Sequence, residues 1–167
     1  MTLASLRYYG SLIGDWSGTL VMRVTDPDAL GRTDTMTRLM GLYARVDGRV
    51  TMATTLRRAA DTELAFDHTT TVSRLGLTTL RSQERIVLAP DGLTGTIRGM
   101  HHVTLRPDEP YEGTISFGDD ALTATYRFTW MHAPMEQHTR IVAEGLQLTQ
   151  ETAWSHHEVL LRRASSG

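Results

Sequence analysis

From about residue 15 onward, apolar and polar positions alternate with a period of two. That is the pattern of strands with one buried face and one wet face. Ahead of it the spacing is helical. Leu3, Leu6, Tyr8 or Tyr9, Leu12 and Ile13 fall on one side of a turn-by-turn array that Thr2 can cap. The pattern predicts an N-terminal helix over 2–13, ended by Gly14, a run of strands over 15–163, and a frayed tail at 164–167.

In the first strand Trp16, Gly18, Leu20, Met22 and Val24 share a face. Asp26-Pro27-Asp28-Ala29-Leu30-Gly31 reads as a loop of turn formers. The next run, Thr33 to Val46, reads as a strand with Met36, Met40, Leu42, Ala44 and Val46 inward; Leu39 is apolar but out of phase. Asp47-Gly48 then predicts a hairpin into Arg49 to Arg57, where Val50, Met52, Thr54 and Leu56 alternate with mostly polar or small neighbours. Further strands follow, with turns at Asp91-Gly92, Gly118-Asp119-Asp120 and Glu144-Gly145. Hairpin after hairpin predicts an antiparallel meander, and closure removes the edges that an open sheet exposes. The expected fold is all-β: one domain over 1–167, an antiparallel up-and-down β-barrel of about 8–10 strands, with the short helix closing one end.

Composition narrows the chemistry. A chain of 167 residues with net charge −2 is long enough for a real core and exerts no general pull on phosphate, so no nucleic-acid partner is expected. There is no Cys and no Lys. Disulfides, thiolate chemistry and lysine Schiff bases are thereby excluded. No apolar run approaches a membrane helix and no signal peptide is apparent, so a cytoplasmic protein with no membrane partner is expected. A homodimer is left open.

Chemistry-bearing residues cluster on predicted inner faces. Between Ala121 and His132, the residues Leu122, Ala124, Tyr126, Phe128, Trp130 and His132 share one side. Such an aromatic face must be buried, and the polar tips of Tyr126, Trp130 and His132 suit a cavity wall as well as a core. Met22, Met36, Met40 and Met52 offer flexible thioethers for irregular apolar space. Phe66 and His68 fall inward on one strand and His101 on another; Glu84 is the best inward carboxylate. His68, Glu84, His101, Tyr126 and His132 are the acid/base candidates if the protein is an enzyme. Met22, Met36, Met40, Met52, Phe66, Tyr126, Phe128 and Trp130 are the candidate ligand contacts. No His-x-His or His-Glu-x-x-His spacing appears, so no metal site is expected. Each of the pairs His101-His102 and His156-His157 can turn only one imidazole inward.

Two segments carry a family resemblance. Gly14-Asp15-Trp16-Ser17-Gly18, after its short helix, resembles the Gly-x-Trp corner of lipocalins and the Gly-x-Trp-x-Gly of nitrobindins. Ser155-His156-His157-Glu158-Val159-Leu160-Leu161-Arg162-Arg163 resembles the last nitrobindin strand. The chain is thus similar to the calycin-like barrels, which include lipocalins, fatty-acid-binding proteins and nitrobindin-like proteins. The resemblance implies a ligand cavity inside the barrel. It also implies, as a minority alternative, haem held by His156, or by His157 in another register, and a basic residue, Arg162 or Arg163, packed over Trp16. The expected function is binding of a small apolar or aromatic molecule without a cofactor. The alternative is a cofactor-independent cyclase, isomerase or lyase using the same cavity.

Overall fold

Residues 4–42, 46–60, 63–104, 106–130 and 133–164 are described by a computed structural model. Helix α1 (Ala4–Leu12) buries Tyr8, Tyr9 and Leu12, each of which contributes about 1.5–3 kcal/mol on leaving water. Gly14, at φ +116°, turns the chain out of the helix. A side chain there would be strained, which is why glycine ends α1.

Ten strands follow: β1 (Gly14–Val24), β2 (Gly48–Ala60), β3 (Glu63–Arg74), β4 (Leu77–Leu88), β5 (Thr94–Val103), β6 (Glu109–Phe117), β7 (Thr123–Trp130), β8 (Ala133–Val142), β9 (Gly145–Glu151) and β10 (Ser155–Arg163). Each pairs antiparallel with the next, and β10 returns to β1, closing the barrel. This is the expected up-and-down architecture, and with the short N-terminal helix it fits the calycin-like fold in general. Ala164, expected in the tail, still donates its N–H to Asp15 O at 2.9 Å. No described helix is long and apolar enough to cross a membrane.

The largest departure from the sequence reading lies between β1 and β2. The stretch expected as a loop, Asp26 to Gly31, holds a short helix, α2 (Pro27–Gly31), and the run expected as a strand from Thr33 to Val46 instead holds helix α3 (Thr35–Leu42). Asp26 accepts from Ala29 N at 2.8 Å, with Pro27 in the first turn of α2. Asp34 accepts from Thr37 N at 3.0 Å and starts α3. Both are helix caps. The spacing of Met36, Leu39 and Met40 fits a helix as well as the 36/40/42 alternation fits a strand. Leu39, out of phase for a strand, was the discordant residue, and it stands half-exposed on α3. Met36 and Met40 therefore leave the predicted strand face; their side chains lie outside the described residues. Asp47-Gly48 makes no hairpin either: Gly48 opens β2, which pairs with β1 and β3.

The two ends of the barrel are closed differently. α1 fills the end where β4 turns into β5, tied by Ser5 N to Gly92 O at 3.0 Å. α2 and α3 cross at the opposite end, where Asp34 pairs with Arg106 at 3.8 Å.

Candidate functional site

The corner residues fix the α1 end of the barrel. Trp16 donates from Nε1 to Leu12 O at 2.9 Å, holding the end of α1. Arg163 lies opposite Trp16 in the β1–β10 ladder, with its guanidinium 5.0 Å from the ring centre. Its Nη2 also donates to Ser11 O at 2.7 Å and its Nη1 to Ile13 O at 3.3 Å. Of the two arginines implied by the resemblance, Arg163 covers the tryptophan. Arg162 sits one residue earlier, opposite Ser17, and alternation sends it to the exposed side.

Above the plug, a hydroxyl cluster forms. Tyr9 OH and Tyr126 OH lie 2.9 Å apart, and Tyr8 OH bonds Thr139 Oγ1, which donates to Ala124 O at 3.1 Å. Burial pushes the Tyr8 phenol up to about 12 and those of Tyr9 and Tyr126 well above their ordinary range. All three stay protonated hydrogen-bonding groups at neutral pH. Phe66 stacks on Tyr9 at 4.8 Å and is fully buried. It braces the plug and does not line the cavity, because its place in β3 is level with the rings of α1. Leu122, expected inward with Tyr126, is 44% exposed in the turn before β7.

Beyond this layer lies a cavity of about 150 Å³. A cavity of roughly that volume holds one benzene-sized ring. Leu20, Met22, Met52, Phe128, Trp130 and Leu148 supply much of its apolar wall. The predicted Met22, Met52, Tyr126, Phe128, Trp130, His68, Glu84 and His101 all line it. His132 lies outside the described residues.

A polar row crosses one side of the wall. His68 pairs in register with Glu84, Glu84 with Gly99, and Gly99 with Tyr111. Tyr111 reaches across the glycine to donate to Glu84 Oε1. A Cβ at position 99 would stand 2.6 Å from the Tyr111 ring, so the crossing requires glycine there. Ser82 also donates to Glu84 Oε1, at 3.0 Å. Burial and the Glu84 charge push the Tyr111 phenol upward, so it remains the donor. His68 is held by Thr54 Oγ1 at 3.0 Å and Thr70 Oγ1 at 3.2 Å. Burial lowers its pKa, with Glu84 opposing, and keeps it neutral at pH 7. His101 stacks flat on Tyr111 at 4.0 Å.

The end beneath α2 and α3 holds a different set. Arg74, buried, donates to Thr79 Oγ1 at 3.0 Å and to Val46 O at 3.3 Å. His157 contacts Ser155 Oγ through Nε2 at 2.9 Å. Burial, then the Arg74 charge, holds its pKa down at about 4. Three buried nitrogens have no hydrogen-bond partner among the described residues: Nδ1 and Nε2 of His101 and Nε1 of Trp130. Burial also lowers the pKa of His101.

The His156-His157 pair has one imidazole on each side, as alternation requires. His157 is the inward one. His156, the position matched to a haem-binding histidine, points outward and bonds Glu151 and Glu158, the latter at 3.1 Å. Those carboxylates raise its pKa. An iron inside the barrel would have to rest on His157, whose Nε2 already meets Ser155. A cavity of about 150 Å³ is also half the roughly 300 Å³ of the smaller ordinary ligand sites, and a porphyrin needs more. The site does not fit haem. Among the described residues no three His, Asp or Glu side chains gather as metal ligands.

Sequence reading missed Tyr111, Ser82 and Arg74 as site residues, and left open which of His156 and His157 turns inward. Tyr111 was legible in principle: it is in phase with Gly113, Ile115 and Phe117, but the prolines at 107 and 110 suggested a loop. Arg74 gave no signal, because a buried arginine is atypical. Neither a protein-family model nor a curated protein matches this chain.

Proposed function

We propose that the barrel binds a small, mostly apolar molecule in its internal cavity, in the manner of lipocalin-like barrels. The observation that carries this reading is the cavity itself. It lies inside a closed barrel, stoppered by α1 at one end, with a mostly apolar surface crossed by inward polar groups. Its volume sets the ligand's bulk near one aromatic ring. The binder is cytoplasmic in this proposal; a chain without cysteine needs no oxidising compartment to fold. Native mass spectrometry of freshly purified protein tests the reading. A retained small molecule, or a rise in melting temperature with added one-ring arenes, is expected. Bare chain mass together with no such rise overturns it.

A second reading is favoured by one feature, the Glu84 carboxylate held by Tyr111 and Ser82 beside His68 in the cavity wall. A carboxylate so placed can abstract a proton from a bound molecule, as a cofactor-independent isomerase, cyclase or lyase requires. Conversion of the bound molecule by the wild type and its unchanged recovery from Glu84→Gln support catalysis. Unchanged recovery from both leaves binding alone.

A further inference from the structure

His101 is 5% exposed and Trp130 9%, and both line the cavity. Yet none of their three ring nitrogens has a partner among the described residues. Native structures seldom leave buried polar groups unmade, and those that remain call for a ligand, an ion or a water. From this we infer that the ligand of the proposed cavity is a small phenol, with its hydroxyl bound by His101 and Trp130. The inference rests on the binding reading above and adds the chemical class of ligand.

The inventory of unmade bonds selects the functional group. Indole nitrogen only donates, while a neutral imidazole donates once and accepts once. The pair therefore presents two N–H donors and one nitrogen acceptor. A hydrocarbon would satisfy none of them, and a carbonyl would satisfy only donors. A hydroxyl accepts and donates, so it answers both kinds. A carboxylate would bring a second negative charge into a wall that already holds Glu84. A neutral hydroxyl does not.

The surroundings select the carrier of that hydroxyl. The two rings are 6.4 Å apart at 66°, close enough for one ligand to touch both. Phe128 stands 6.2 Å from His101 and 5.6 Å from Tyr111, so aromatic faces and edges surround the place. Such surroundings favour an aromatic ring in edge or offset contact. The cavity volume limits the ligand to about one ring. His101 is held in place without using its nitrogens, because its face lies at 5° on Tyr111, which in turn is fixed by Glu84 and Ser82.

Phenol and toluene, which differ by one hydroxyl-for-methyl exchange, are the test. Calorimetric titration of the whole chain should show phenol binding about tenfold more tightly than toluene, the worth of one or two well-made hydrogen bonds. Trp130→Phe and His101→Phe keep an aromatic ring and remove the nitrogens. Each should weaken phenol by about three- to tenfold and leave toluene within about twofold. Toluene bound with phenol excluded, or the two bound equally because a buried water answers the nitrogens, overturns the inference while the binding function stands. A phenol preference that survives both substitutions overturns the assignment to His101 and Trp130. Neither probe bound removes this inference, and bare chain mass in the native spectrum then removes the binding reading as well. The wild-type comparison needs no variant, so it decides even if a variant fails to fold.

Discussion

The two ends of this barrel are built from similar residues to opposite purposes. At the α1 end, aromatic rings pack on one another and their polar tips are satisfied: Tyr9 by Tyr126, Tyr8 by Thr139, Trp16 by Leu12 O. At the other end, Trp130 and His101 are buried to a similar degree and their ring nitrogens have no partner among the described residues. Tyr126 and Trp130 even share one strand and one face, four residues apart. Burial therefore does not distinguish structure from function in this molecule. Under the proposed binding function, the satisfaction of buried polar atoms does, because a fold specifies its own partners but a binding site leaves some to its ligand.

The largest effect should come from the satisfied end. Phe66 is fully buried and stacks on Tyr9. Phe66→Ala removes both its transfer energy and the contact that seats the plug, at a cost of about 3–5 kcal/mol. Urea unfolding would measure it. A loss below about 1 kcal/mol would mean that α1 is not braced as described, and the contrast between the ends would lose one of its sides.

The opposite end should show itself through pH. His157 has its pKa depressed from 6.5 to about 4, mainly by burial. Between those values the unfolded chain binds a proton that the folded protein refuses. Its contribution is therefore complete above pH 6.5, falls as the pH drops toward 4, and amounts to about 3 kcal/mol. His68 and His101, also depressed, act in the same direction. His156, on the outer face of the same strand, has a raised pKa and acts in the opposite sense: its contribution is present below its unfolded value and lost as the pH rises through its folded one. Unfolding midpoints across this range should fall with acid in the wild type and fall less in His157→Gln. Equal slopes would show that His157 is solvated in the folded protein.

The same contrast explains what the sequence disclosed. Alternation exposed the strands and the inward set His68, Glu84, His101, Tyr126, Phe128 and Trp130, because a period of two assigns faces directly. It failed at Met36 and Met40, where two-residue and four-residue spacings coincide and only the Asp26 and Asp34 caps favoured helices. It also could not choose between His156 and His157, since a one-residue change of register exchanges the faces. Satisfaction is less legible still. The partner of Tyr9 and one of the two partners of Glu84 come from other strands, and which buried nitrogens are left without a partner shows only once the strands are in place.

The sharpest comparison uses two substitutions on β7 in ligand-free protein. Tyr126→Phe removes a single oxygen and little volume. It leaves the fully buried Tyr9 hydroxyl without the partner that sits 2.9 Å away, and should cost about 1–3 kcal/mol. Trp130→Phe removes more volume, but from a side chain that already borders the cavity, and it eliminates a buried donor that has no partner among the described residues. The packing loss and the relief oppose each other, so its cost should stay below about 1 kcal/mol. Differential scanning calorimetry of the two variants would rank them. If the larger truncation proves the more damaging, Trp130 serves the fold as Tyr126 does. If the smaller one does, the end beneath α2 and α3 bears a group that the protein keeps for something other than its own stability.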